Sequence, residues 1–444
     1  MEPENKSPGI SLAAATAIVV ASMVGTGVFT SLGFQIASIP SGFPVLLLWG
    51  IGGVVALCGA LCYAELVSMM PRSGGEYHLL GRVYHPLAGF LAGWVSITAG
   101  FSATVALMAM AFGAYAHGVW PVIDEKYAGC AIIVILALLR LGGAQFIAKF
   151  HVSITIVKVL LMAAFILGAW FVGHANWDVL KPQVGDQAKV FSLDFANNLF
   201  YVMFAYSGWN SAAYVAGEMH HPKRNVPLAL GLGTLIVAAL YLSLNAVFLT
   251  CGDWSAMIGK KEVGLVAAQQ IFGERGGAIM GALIAFGLLS TVNALLWSGA
   301  STMRVIGQDV RLLGWLNRST KNGEPLGAVI TLTVFALAIL FTGSFDALLK
   351  YIQALLELCA ALVVFGVIWM RIRQPHRERP FKVPFYPLPP LIFVGTSAWM
   401  LWSLVKMQPK ETLYGAATLV IGAVIYLVSP KRVPTEQTDI ASEA

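Results

Sequence analysis

Apolar runs of membrane-spanning length recur along the whole chain, among them VLLLWGIGGVVALCGALCYAEL, ITIVKVLLMAAFILGAWFV and LGLGTLIVAALYLSLNAVFL. Each reaches the ~20 residues that a helix needs to cross a hydrocarbon layer. The composition agrees: 58% of residues are hydrophobic and only 11% charged, against about 25% charged in a soluble domain. The predicted fold class is an all-α polytopic membrane protein, with the lipid bilayer as its solvent.

Apolar stretches and the breaks between them delimit about twelve transmembrane helices. They fall near residues 11–39, 43–69, 86–116, 127–146, 150–173, 195–217, 228–252, 276–303, 326–342, 345–370, 386–406 and 411–428. Loops are short, and none is long enough for a separate soluble domain. With the N-terminus inside, the inner loops hold Arg72, Arg82, Arg140, Lys149, Lys223, Arg224, Arg304, Arg311, Arg318, Lys321 and the RIRQPHRERPFK cluster, with Lys431 and Arg432 in the tail. That is about 18 basic residues inside against about 9 outside, the direction of the positive-inside rule, and it predicts cytoplasmic termini. The first residues, MEPENKSPG, lean acidic and precede no A-x-A-like cleavage site, so no removed signal peptide is expected. The net charge of +6 reads as topology, not nucleic-acid affinity, because the basic residues lie between spans. Cys58, Cys62, Cys130, Cys251 and Cys359 lie in or beside apolar segments and read as small core hydrophobes, not a disulfide framework.

Two spans are interrupted near their middles. In the first, MVGTGVF places two glycines around Thr26, although glycine costs about 1 kcal/mol against alanine inside a helix. The halves, ending near Met23 and starting near Val28, are each too short to cross alone. In the sixth, Ser207-Gly208 interrupt FYVMFAYSGWNSAAYV. Unwound backbone at membrane depth is tolerated only where it is buried in protein or lines a cavity. Paired interruptions in corresponding halves of a chain point to a transporter binding site. If segments one to five and six to ten are inverted repeats, the first and sixth are equivalents. Gly52-Gly53 and Gly142-Gly143, by contrast, read as helix-packing devices.

MVGTGVF in the first span, FAYSGWN in the sixth, GEMHHPKRNVP after it and RPFKVPFYPLPPL before the eleventh resemble the amino acid–polyamine–organocation permeases. The nearest likeness is to the L-type amino acid transporter branch and its bacterial relatives, over essentially the whole chain. The resemblance implies a LeuT-like 5+5 inverted repeat with broken helices 1 and 6 and two additional C-terminal helices. Repeat one would cover residues 10–173, repeat two 195–370 and the additional helices 386–428. It also implies a zwitterionic amino acid held between the broken helices. Its carboxylate would meet the N–H groups of Gly25, Thr26 and Gly27, at the positive end of a half-helix. Its ammonium would meet carbonyls of Met23, Phe204 and Ser207. Phe204 is either an aromatic lid over the site or a buried packing residue. Tyr206 and Trp209 are ambiguous, Trp209 being retained among gating candidates, and Asn210 is expected to satisfy backbone near the break.

Lys158 lies well inside the fifth span, where a lysine costs at least about 2.5–3.5 kcal/mol. Relatives place a lysine where sodium-driven transporters keep a sodium ion. On that reading its ammonium ties the first and eighth spans through their carbonyls and removes the need for sodium; the alternatives are a lysine reaching the inner interface and a role in proton coupling. Glu357 has three readings: a neutral, hydrogen-bonded carboxyl, a partner for a cation or basic substrate, or a proton carrier in coupling. Glu65 is expected at the inner interface beside Arg72. Glu218, Lys223, Arg72 and Arg82 are candidate ion-pair partners in an inner gate, with solvated loop charges as the alternative.

The chain shows no metal-ligand spacing around His220-His221, no phosphate-cradling GxxxxGK[ST] loop and no evident nucleophile–base pair. An enzyme is therefore not expected, nor a cofactor or an obligatory protein partner. The expected function is secondary active transport of neutral L-amino acids by alternating access in a bacterial inner membrane. Sodium-independent exchange and proton-coupled uptake are the two modes. Ser207 would trim the pocket towards small or medium substrates. The alternatives are a cationic amino acid or polyamine transporter, and an amino acid sensor or channel on the same scaffold.

Overall fold

The computed structural model describes residues 10–429 except 26, 71–74, 142–145, 174, 217–218 and 321. The expected residues Thr26, Arg72, Glu218, Lys321, Lys431 and Arg432, and the pair Gly142-Gly143, lie outside the described set, as does the side chain of Lys149. Among the described residues the protein is helical with no strand, apart from one isolated bridge between Ile10 and Met219.

The first half comprises α1 (Leu12–Met23), α2 (Gly27–Thr30), α3 (Leu32–Ser38), α4 (Gly42–Met69), α5 (Gly75–Val83), α6 (Pro86–Val95), α7 (Thr104–Val119), α8 (Glu125–Leu141) and α9 (Phe146–Val172). Next come α10 (Asp186–Val190), α11 (Leu193–Tyr206), α12 (Ser211–Tyr214), α13 (Pro222–Cys251), α14 (Trp254–Met257) and α15 (Val263–Asp309). The last four are α16 (Leu326–Thr342), α17 (Phe345–Arg373), α18 (Leu388–Met407) and α19 (Pro409–Val428). Several starts have a side-chain cap in the sequence: Ser11, Ser192 and Ser344 accept from Ala14, Phe195 and Ala347 N–H at 3.3, 3.1 and 3.3 Å.

Among the described residues, eight stretches are long and apolar enough to cross a membrane, and 157–172 and 326–342 are shorter apolar helices. The predicted fourth and sixth segments form α8 and α11, of 17 and 14 residues. The sixth is short because it breaks. Three local features differ from the sequence reading. The loop before the third span contains α5. The predicted eighth span at 276–303 is the second part of α15, which changes direction at Gly273 (φ 75°). Residues 96–103, between α6 and α7, widen into π-helical turns. There the hydroxyls of Ser102 and Thr104 donate to carbonyls five residues back, at 2.7 and 3.0 Å.

The helices that carry the interruptions share neighbours. α13 packs on α1 and α4, and α4 on α11, while a separate set joins α15 to α7 and α16, and α8 to α7 and α16. Gly52 and Gly53 serve packing, as expected: Val202 and Tyr206 of α11 and Ala238 of α13 rest against them. α19 lies at the margin, against α6 and α17.

Candidate functional site

α1 unwinds after Met23. Val24 closes the last turn onto Val20 O at 2.8 Å, and Gly25 N–H folds back to Met23 O at 2.6 Å. The helix resumes at Gly27, whose carbonyl accepts from Ser31 N at 3.1 Å and Ser31 Oγ at 2.6 Å. α11 unwinds after Tyr206: Ser207 adopts φ −54°, ψ 145°, its N–H returns to Phe204 O at 3.1 Å, and Gly208 turns left-handed at φ +98°.

Each interruption seats the other. A Cβ on Gly27 would lie 2.8 Å from Ala205 Cα, and one on Gly208 would lie 2.7 Å from Ser22 O. Gly208 is thus fixed as glycine twice, by its positive φ and by the end of α1. Gly25 differs, since a Cβ there would meet nothing nearer than Met23 O at 3.8 Å. The glycine pair therefore divides its labour: Gly27 permits the crossing, and Gly25 leaves room beside bare backbone.

A residue the sequence reading missed joins the two breaks. The hydroxyl of Tyr241, fully buried on α13, lies 2.6 Å from Met23 O and 3.1 Å from Ala205 O. A buried tyrosine hydroxyl needs a partner, so a lone tyrosine in LIVAALYLSLNAVF was the available signal. Met23 O thus accepts from Tyr241 and Gly25, and Phe204 O from Ser207. These expected ammonium acceptors already carry protein donors. Tyr241 is set by Trp49, edge-on at 5.7 Å, and by Tyr206, whose own hydroxyl donates to Trp49 O at 3.1 Å. Phe204 is buried beside the break.

Lys158 extends to α15, where its ammonium donates to Thr291 Oγ1 at 3.0 Å. The expected partners were carbonyls of the first and eighth spans; the described contact is with a hydroxyl of the eighth. On the other side of the break from the start of α1, Tyr201 donates to Asp346, which pairs with Lys350 at 2.7 Å. Phe34 stacks between Tyr201 and Phe345 at 5.5 and 5.8 Å. None of this cluster was anticipated from the sequence.

On the side where α1 begins, Trp209 is buried edge-on to Tyr63 at 4.8 Å and Phe393 at 5.9 Å. Asn210 does not cap backbone as expected; its amide donates to Glu76 Oε1 at 3.2 Å, which also accepts from Tyr63 at 2.7 Å. Glu357 is buried and accepts from Gln353 at 3.0 Å and Ser397 at 2.6 Å, with no cation against it among the described residues. Glu65 pairs with Arg371 through a two-pronged contact at 2.9 and 2.5 Å, and accepts from Val383 N–H at 2.7 Å. Arg379 adds a third cationic contact at 3.5 Å. The described partners of Glu65 thus come from α17 and the segment before α18. Arg140, read as an inner-loop charge, is buried between Glu324 at 3.2 Å, Leu296 O at 3.1 Å and the Trp297 ring at 4.5 Å.

An apolar helical bundle whose interruptions meet in its interior defines a class, the multi-pass membrane permeases. Within it, this chain belongs to the amino acid permease family of the amino acid–polyamine–organocation superfamily: the model described as amino acid permease matches residues 10–427. Among its relatives is the b(0,+)-type amino acid transporter 1 of Mus musculus, 25% identical over 94% of this chain and 87% of that one. The cystine/glutamate transporter of Homo sapiens is 25% identical over 94% of this chain and 84% of its own. The Asc-type amino acid transporter 1 of Rattus norvegicus is 24% identical over 94% and 80%.

Proposed function

We propose that the protein is a secondary active transporter of neutral L-amino acids. It would work by alternating access in a bacterial inner membrane, with both termini cytoplasmic and twelve spans in a 5+5 inverted repeat plus two. Repeat one spans 10–173, repeat two 195–370 and the additional pair 386–428. The observation that carries this reading is the reciprocal seating of the two unwound stretches, Gly27 on Ala205 and Gly208 on Ser22. Backbone freed there suits the invariant part of an amino acid: N–H groups at Gly25, Thr26 and Gly27 for the carboxylate, and carbonyls around Met23, Phe204 and Ser207 for the ammonium. Met23 O already accepts from both Tyr241 and Gly25, so binding turns the Gly25 N–H from Met23 O to the carboxylate and frees that carbonyl for the ammonium, while Phe204 O, which accepts from Ser207, offers its second lone pair.

The packing of α1, α4, α11 and α13 as one group and of α7, α8, α15 and α16 as another supports rocking of two bundles around the site. Phe204 shuts the site from outside, and Lys158 replaces a sodium ion by bracing α9 against α15. Sodium-independent exchange is the primary mode. Preference for neutral over cationic substrates follows from Glu357, which is engaged by Gln353 and Ser397. In proteoliposomes loaded with unlabelled amino acid, labelled neutral amino acid should enter without sodium. Failure of every amino acid to enter or exchange would overturn the reading in favour of a sensor.

A further inference from the structure

Resting on the transport reading, the inner side of the sixth-helix break carries a feature that substrate binding does not use. Glu76, on α5, is buried, yet its Oε1 accepts from Tyr63 of α4 at 2.7 Å and from Asn210 at 3.2 Å. Asn210 belongs to the turn that separates α11 from α12. The contact is enforced from the next residue, because Gly75 at φ +52° lies flat against the Tyr214 ring of α12, where a Cβ would approach to 2.1 Å. One carboxyl thus joins the second span, the loop helix and the unwound part of the sixth span.

Among the described residues, the groups around it do not neutralise it. α17 brings Glu357 and Cys359 within electrostatic range of it, α4 supplies Tyr63 and α12 supplies Tyr214. α6 carries no ionisable side chain, and α5 itself holds Tyr77, His78 and Arg82. Among the described residues no ion pair to Glu76 is formed. A buried carboxylate without a cation is costly, by several kcal/mol, whereas the neutral acid keeps its place by hydrogen bonding.

We infer that Glu76 is a proton-binding site that latches the inner half of the broken sixth helix: the closed gate holds the proton, and the proton leaves to the inner water as the gate opens. Burial raises the Glu76 carboxyl from its ordinary 4.5 to about 7, with Glu357 adding to the rise and the Tyr63 and Asn210 donors opposing it. The closed arrangement therefore binds the proton more tightly than a hydrated carboxylate does. It is favoured at low pH and loses that advantage as pH rises through about 7.

The test uses the full chain in proteoliposomes, following amino acid exchange while the inner pH is stepped from about 6 to about 8. Wild-type exchange should accelerate, by at most about tenfold per pH unit, the ceiling for one proton. Glu76→Gln, a permanent mimic of the neutral acid, should exchange slowly and without pH dependence. Tyr63→Phe should move the midpoint to higher pH, because the carboxylate loses a donor. Identical pH profiles in wild type and Glu76→Gln would overturn the inference while leaving transport intact. A second readout needs no transport: Trp209 emission, taken as the difference between wild type and Trp209→Phe, should titrate in detergent and be flat in Glu76→Gln. A titration unaltered by Glu76→Gln overturns the latch, and absence of exchange under all conditions overturns the transport reading instead.

Discussion

The two interruptions are alike in outline and different in what holds them. The first is secured by neutral groups: Tyr241 and the chain's own amides satisfy Met23 O, and Gly25 borders open space. The sixth is pinned, with a left-handed Gly208 wedged on Ser22 and with Trp209 and Asn210 running inward to Tyr63 and Glu76. On the proposed reading, the first break exposes backbone to a ligand and the second transmits what happens there to a gate.

The largest effect should come from Gly208→Ala. An alanine at φ +98° costs about 1–3 kcal/mol in backbone strain alone, and its Cβ would strike the end of α1. Transport should be abolished and thermal stability lowered. A variant as stable and active as wild type would show that the sixth break is not pinned. Lys158→Ala should cripple uptake while the protein still inserts and purifies, because the brace between α9 and α15 through Thr291 is lost. Near-normal uptake would remove its assigned role.

Tyr241→Phe comes next. It leaves Met23 O and Ala205 O short of a donor at a cost of about 1–3 kcal/mol, and equilibrium binding should weaken about tenfold, which is 1.4 kcal/mol. Gly25→Ala sharpens the contrast with Gly208→Ala: stability should be unchanged, since nothing lies within 3.8 Å of its Cβ, while substrate affinity falls. The smallest effect is expected from Glu357→Gln, which keeps partners for Gln353 and Ser397 and should leave neutral amino acid exchange within about twofold. A selective loss of cationic substrate would instead assign Glu357 to the pocket.

The helices could be read from the sequence because lipid forces long apolar runs into one geometry, and Gly-x-Gly and Ser-Gly marked the breaks because nothing else in those runs interrupts a helix. What escaped depends on proximity across the chain. Tyr241 lies 218 positions from Met23, and Asn210 lies 134 from Glu76. No local pattern encodes such a pairing. α5 has only nine residues of mixed character, too few to stand out from a loop. Glu65 and Arg371 meet from 306 positions apart, while Arg72, the partner expected from nearby sequence, lies outside the described residues. The cluster of Phe34, Tyr201, Asp346 and Lys350 escaped for the same reason.

Calorimetric titration of the purified protein with one amino acid, its N-acetyl derivative and its carboxyl amide tests most directly whether bare peptide groups grasp both ends of a zwitterion. The account predicts that either blocking group removes measurable binding, whatever side chain is chosen. Binding of both blocked forms at the affinity of the free amino acid would contradict it.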